Sequence, residues 1–190
     1  MANNAKLVTA GKPKIEGAVW VAEEGTTVPT DAISELDPAF ECMGYVSDEG
    51  MTNAGGRTSE NIKAWGGKIV LSPQTEKTDT WAGTFIESLN VVLLKQVYGP
   101  DNVEGDIKSG IAIKANEKEL PYASWVIDMV QTDGALKRVV IPRGKITGIE
   151  DVNYRDNEAV GFGLTVTAFP DNTGNTHYEY IIGGGGDVSE

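Results

Sequence analysis

Only one stretch of this chain, Ile86–Tyr98, spaces its apolar residues at the three-to-four interval of a helix, with Gly99-Pro100 to stop it. Nearly everything else that is apolar comes as short, alternating runs separated by turn residues. Those runs are Ile15–Val21, Glu41–Val46, Ile62–Leu71, Thr80–Phe85, Ile111–Ala115, Ala123–Gln131, Ala135–Ile141, Lys145–Val152, Ala159–Phe169 and Thr176–Ile182. Thr132-Asp133-Gly134 carries the Asp-Gly signal of a hairpin turn. The 23 glycines fit a turn-rich protein with many short connections. The fold class expected is mainly β: a β-sandwich or barrel with one packed α-helix. A chain of 190 residues holds one such domain, spanning 1–190.

Three segments fall outside that pattern. Residues 1–13 read as a polar N-terminal arm. Residues 47–60, SDEGMTNAGGRTSE, show neither periodicity and read as a long loop, a length that is usually functional or disordered. The end, 183–190, GGGGDVSE, reads as a flexible C-terminal tail.

Charge narrows the function. Sixteen basic residues against 28 acidic give a net charge of −12, the opposite of a nucleic-acid binder's footprint. The basic pairs Lys137-Arg138 and Arg143-Lys145 read as rim charges flanking a turn. Cys42 is the only cysteine, so no internal disulfide and no cysteine zinc cage can form, and its apolar strand context favours burial. Met1–Lys14 has no apolar signal core, and no apolar run is long enough to span a membrane. The expectation is synthesis in a cytoplasm, without membrane insertion by this chain.

Catalytic signatures are missing: there is no phosphate loop, nucleophile elbow or paired-histidine metalloprotease motif. His177 is the only histidine and stands in a Tyr-rich strand, a surface or packing position before a catalytic one. Two acidic clusters, Asp101/Asn102/Glu104/Asp106 and Asp151/Asn153/Asp156/Glu158, lack the EF-hand spacing and read as conformational turns. Trp20, Trp65, Trp81 and Trp125 fall in different strand-like segments and read as core or subunit-interface residues. The expectation is a protein that is not an enzyme and needs no cofactor or metal.

Val19–Val28 (VWVAEEGTTV), Pro29-Thr30-Asp31-Ala32, Ala39-Phe40 and Gly44–Gly50 (GYVSDEG) together resemble the opening of phage major tail tube proteins of long-tailed, non-contractile phages. The block Ser59–Gly67 (SENIKAWGG) is similar to that family's Ala-Trp-Gly-Gly block, and Phe85–Asn90 with Val97-Tyr98-Gly99 to its single helix and stop. The likeness covers about residues 15–100, with Cys42-Met43 a departure where a plainer aliphatic is usual. It implies a structural virion protein, assembled in the host cytoplasm, whose hexameric rings stack into the phage tail tube that conducts DNA into the host. Strands from all six subunits would join in a continuous inner barrel. Partners would be other copies of itself and the tail terminator, tail tip and tape-measure proteins, with viral DNA passing through unbound.

The resemblance also assigns sites. The arm, the tail and the 47–60 segment (Ser47, Asp48, Glu49, Gly50, Arg57, Glu60) would stack one ring on the next, ordering as they bind. An acidic lumen would repel the DNA it carries, and strand position, not the resemblance, makes some of Asp128, Asp133, Glu150 and Asp151 the candidates for that wall. Six touching spheres of about 40 Å enclose a hole of similar width. Two other readings stay open on sequence alone. One is the inner tube of a contractile tail or a type VI secretion-like system; the other is a carbohydrate-binding β-sandwich module.

Overall fold

A computed structural model describes residues 3–183 of the chain. The chain begins with a 3-10 turn at Ala5–Leu7 and lays down β1 (Gly11–Pro13), β2 (Val19–Glu23) and β3 (Glu41–Cys42). There follow β4 (Val46–Ser59), β5 (Ile62–Lys63), β6 (Ile69–Leu71) and β7 (Gln74–Phe85). The single α-helix α1 (Val91–Tyr98) precedes β8 (Val103–Asp106), β9 (Gly110–Ile113), β10 (Ala123–Gln131) and β11 (Leu136–Ile149). The last strands are β12 (Phe162–Ala168) and β13 (Tyr178–Ile182). Nine strands form one open antiparallel sheet in the order β3-β2-β10-β11-β12-β7-β4, with β1 also on β10 and β13 also on β11. The expected mainly-β, sandwich-like fold with one helix is what forms.

The sheet folds over because β11 changes partners midway. Leu136–Val140 pairs with β13, whereas Gly144–Ile149 pairs with β12. Sequence alternation breaks at Pro142-Arg143-Gly144, which reads as a gap between two strands. Instead one strand passes through with a register shift opposite Ala123–Trp125, and Ser124 Oγ donates to the Pro142 carbonyl at 2.8 Å. Gly144 is required there: a Cβ would sit 2.7 Å from the Trp125 ring and 2.9 Å from Val166.

Strand β10 is buried on both faces, which explains its nearly unbroken apolar run. Trp125 and Ile127 point into the main core with Val19, Val21, Phe85, Val139, Ile141, Phe162 and Leu164. Helix α1 closes that core with Leu93, Leu94 and Val97. Its start lies later than the apolar spacing predicts because Asn90 caps it, accepting the Val92 N–H at 2.9 Å while donating to the Cys42 carbonyl. Across the sheet, Val126 and Val140 make a second core with Ala22 and Phe40, flanked by Trp20, Val28, Leu36, Tyr178 and Tyr180.

Two expectations are corrected. The segment 47–60 is not a loop but the body of β4, paired with β7 from Val46–Phe85 out to Ser59–Gln74. Its strand character is invisible to apolar periodicity because both faces are exposed, so neither face selects apolar residues. The N-terminal arm is held in part: Gly11, Lys12 and Pro13 pair with Gln131, Val130 and Met129. The C-terminal tail, 183–190, lies outside the described residues apart from Gly183.

Candidate functional site: an assembly surface

Strands β4 and β7 leave the body together and form an arm. From Thr52 to Thr78 every residue is exposed, so no face of this ribbon is covered by its own protomer. Small contacts fix it: Thr80 Oγ1 donates to the Ala54 carbonyl at 3.2 Å and Arg57 to Gln74 Oε1 at 2.9 Å. At its end the short hairpin β5–β6 carries Ile62, Trp65, Ile69, Val70 and Leu71, all exposed, with Trp65 wholly so at 107%. Gly66 and Gly67 turn this tip with φ of 100° and 89°. Charge is arranged along it as well. Arg57, Lys63, Lys68 and Lys77 face only Glu60 and Glu76, a basic ribbon on a chain whose total charge is −12.

The root of the arm is built differently. Asp79 is buried and accepts from Asn53 Nδ2 at 2.9 Å, from Thr176 Oγ1 at 2.5 Å and bonds His177 Nδ1 at 2.5 Å. Burial alone pushes its pKa up, but the bonds from Thr176, His177 and Asn53 outweigh it and hold the carboxyl below its usual value. His177 also sits edge-on to Trp81 with ring centroids 5.4 Å apart. One carboxylate thus ties β4, β7 and the approach to β13. The approach is braced again at Asp171, held low chiefly by the Tyr178 and Thr173 hydroxyls. His177 has a structural partner that its position in sequence did not reveal.

The predicted residues are distributed rather than gathered. Ser47 is half-buried; Asp48, Glu49, Arg57 and Glu60 are exposed along β4 and just beyond it, and Gly50 makes the bulge with φ 72°. Of the four candidate wall acids, Asp128 is corrected: it is 5% exposed and locked to Arg138, so it presents no charge to any open surface. Arg138 is likewise no rim charge, at 2% exposure. Asp133 lies in the turn before β11 and Glu150 and Asp151 just after its end, so the length of that strand separates them. Glu150 and Asp151 are exposed. The first acidic cluster is a turn network: Glu104 pairs with Lys114, Asp106 caps Lys108 and Ser109, and buried Asn102 bonds the Tyr98 carbonyl and Asn116. In the second, Arg155 pairs with Glu158.

Residues 1–183 match the family described as phage tail tube protein. The chain belongs to that family. No curated protein matches it. Membership in the tail tube family makes this a structural component of a phage virion's tail, and it implies self-assembly into a tube and association with other tail components. A free-standing apolar-tipped arm is what a self-assembling tail tube subunit can offer a neighbour. Among the described residues no helix is long and apolar enough to cross a membrane.

Proposed function

We propose that the protein forms hexameric rings that stack into the tail tube, and that the tube conducts viral DNA into the host through a continuous inner barrel. The observation that carries this reading is the arm. A two-stranded ribbon is marginal in water by itself, and this one exposes five large apolar side chains at its tip. Stacking gives it a partner: the basic arm of one ring meets the acidic body of the next, and Trp65 and its neighbours leave water. The N-terminal arm and residues 183–190 add to this inter-ring contact. Glu150 and Asp151, with Asp133, contribute to an acidic lumen that repels the DNA phosphates. The rings cap at the terminator complex, begin at the tail tip and enclose the tape-measure protein.

The test is negative-stain electron microscopy of the purified protein, dilute and concentrated, with mass measured on the same samples. Hollow six-fold rings or tubes are expected, fewer of them as salt rises above about 0.15 M, where screening shortens to about 8 Å. Trp65→Ala is expected to leave protomer stability within about 0.5 kcal/mol, because the side chain is fully exposed, yet reduce stacking. Stacking that survives both this change and removal of the β5–β6 tip defeats the role given to the arm. Reversing the charge of Glu150 and Asp151 without any effect on DNA delivery defeats the role given to the lumen.

A further inference from the structure

A line of polar side chains runs from the root of the arm to the middle of the sheet. Asn53 of β4 donates to Asp79 Oδ1 of β7 at 2.9 Å. His177, on the approach to β13, bonds Asp79 Oδ2 through Nδ1 at 2.5 Å. Its other ring nitrogen, Nε2, faces Glu179 Oε1 of β13 at 4.0 Å. Glu179 Oε2 in turn meets Lys137 Nζ of β11 at 2.9 Å. Each of these links is within hydrogen-bond reach except the one between His177 and Glu179.

That open link depends on one proton. An ionised carboxylate only accepts, so His177 Nδ1 carries a hydrogen in order to bond Asp79. In the neutral ring Nε2 is then bare, a lone pair turned towards a second carboxylate. The line holds two carboxylates against one ammonium. A proton on Nε2 balances the charges and supplies the missing donor. Among the described residues, the ion-pairing partners of His177 are Asp79 and Glu179. Its other neighbours are Trp81, which packs edge-on, and Thr176, which gives its hydroxyl to Asp79. Asp171, in the turn before it, is engaged by Thr173 and Tyr178. The His177 side chain is 24% exposed, so water can deliver the proton.

Asp79 marks the point where the arm leaves the body. From Phe85 to Thr80, β7 lies between β12 and β4; from Asp79 outward it has β4 alone. A two-stranded ribbon is marginal by itself, so its direction depends on what braces its root. The Asp79 bonds to Thr176 and His177 are such a brace, and they tie it to the segment that enters β13.

We propose that His177 is a proton-gated clasp: a proton on Nε2 joins Glu179 to the line and fixes the angle at which the arm leaves the body. The clasp belongs to the protomer and bears on stacking only through the role given to the arm above. With the ring neutral, the line stops at His177 and the arm swings more widely. The arm is therefore held more firmly as pH falls from about 8 to about 5, the range in which imidazoles gain their charge. Asp79 keeps its charge across that range because its bonds hold the carboxyl below its usual value.

Spin labels on Thr58→Cys in the arm and Glu23→Cys at the end of β2, both exposed positions, read that angle in dilute protein in a Cys42→Ser background. The distance distribution between the labels is expected to narrow about twofold between about pH 8 and about pH 5.5. The narrowing should share its midpoint with protonation of the His177 ring followed by nitrogen NMR. His177→Gln, which can still donate to Asp79 but gains no charge, should stay broad at both pH values. Glu179→Gln should abolish the narrowing while keeping the melting temperature within a few degrees. A wild-type distribution that ignores pH overturns the clasp, as does narrowing that persists in His177→Gln. Narrowing that requires both His177 and Glu179 upholds it whether or not tubes form, so the clasp and the stacking role of the arm fail separately.

Discussion

Asp128 and Arg138 face each other on the central strands β10 and β11, and breaking that pair is the sharpest test of how the second core is held. Arg138 Nε reaches Asp128 Oδ1 at 2.6 Å and Nη2 reaches Oδ2 at 2.9 Å, while Nη1 donates to the carbonyls of Ser34 at 2.8 Å and Asp31 at 3.2 Å. The guanidinium therefore ties the 31–34 turn to the central strands β10 and β11. Asp128→Asn removes the carboxylate's charge and leaves a cation in a site where the side chains are 3% and 7% exposed. Stranding a buried charge in this way costs about 3–5 kcal/mol. For a domain of this size that lowers the melting temperature by roughly 6–20 °C. Urea unfolding followed by circular dichroism, at protein concentrations where the protomer is monomeric, gives the number directly. The double change Asp128→Leu with Arg138→Met is expected to recover most of the loss, because it removes both desolvation penalties and fills similar volume. The two carbonyls left behind lie near the surface, where water can satisfy them. The single variant should also expose the 26–38 segment to protease before global unfolding. A cost below about 1 kcal/mol for Asp128→Asn, or a double variant no better than the single, refutes the claim that this pair is desolvated.

Three further outcomes are expected. Because the Asp79 carboxyl is held low in the folded protein, its contribution is fully present above its unfolded value, near 3.9, and fades as pH falls through the lower folded value. Asp79→Asn should flatten the acid limb of stability below about pH 4 and free the approach to β13, seen as faster amide exchange at residues 176–178; an unchanged acid limb counts against the latch. Gly144→Ala drives a methyl against the buried Trp125 ring and Val166 and should destabilise by about 1–3 kcal/mol in thermal melts, whereas a neutral result means the core there is looser than its distances indicate. Asn90→Ala strips the cap of α1 and its bond to the Cys42 carbonyl, and should cost about 1 kcal/mol in urea titration, with a cost near zero showing that water replaces the cap.

What could be read from the sequence follows from what each segment buries. Strand β10 and helix α1 declare themselves because they bury apolar side chains at a fixed period. The arm does not, because Thr52–Thr78 buries nothing in the protomer; its strand character lies in backbone pairing, to which apolar periodicity is blind. The one local signal was the threonine-rich run QTEKTDT (Thr75, Thr78 and Thr80), opposite a run of small residues. The Asp128–Arg138 pair was concealed for the converse reason. Each looks like an ordinary surface charge, yet Asp128 interrupts a nine-residue apolar strand, and a charge in such a run demands a buried partner. A conduit's acidic wall cannot be built from charges already neutralised inside the protomer. Candidates for it must be sought among acids, such as Glu150 and Asp151, that keep their exposure. By the same physics, the surfaces to which the proposed assembly turns are those the protomer's own core leaves uncovered: a ribbon without a covered face and a tryptophan wholly in water.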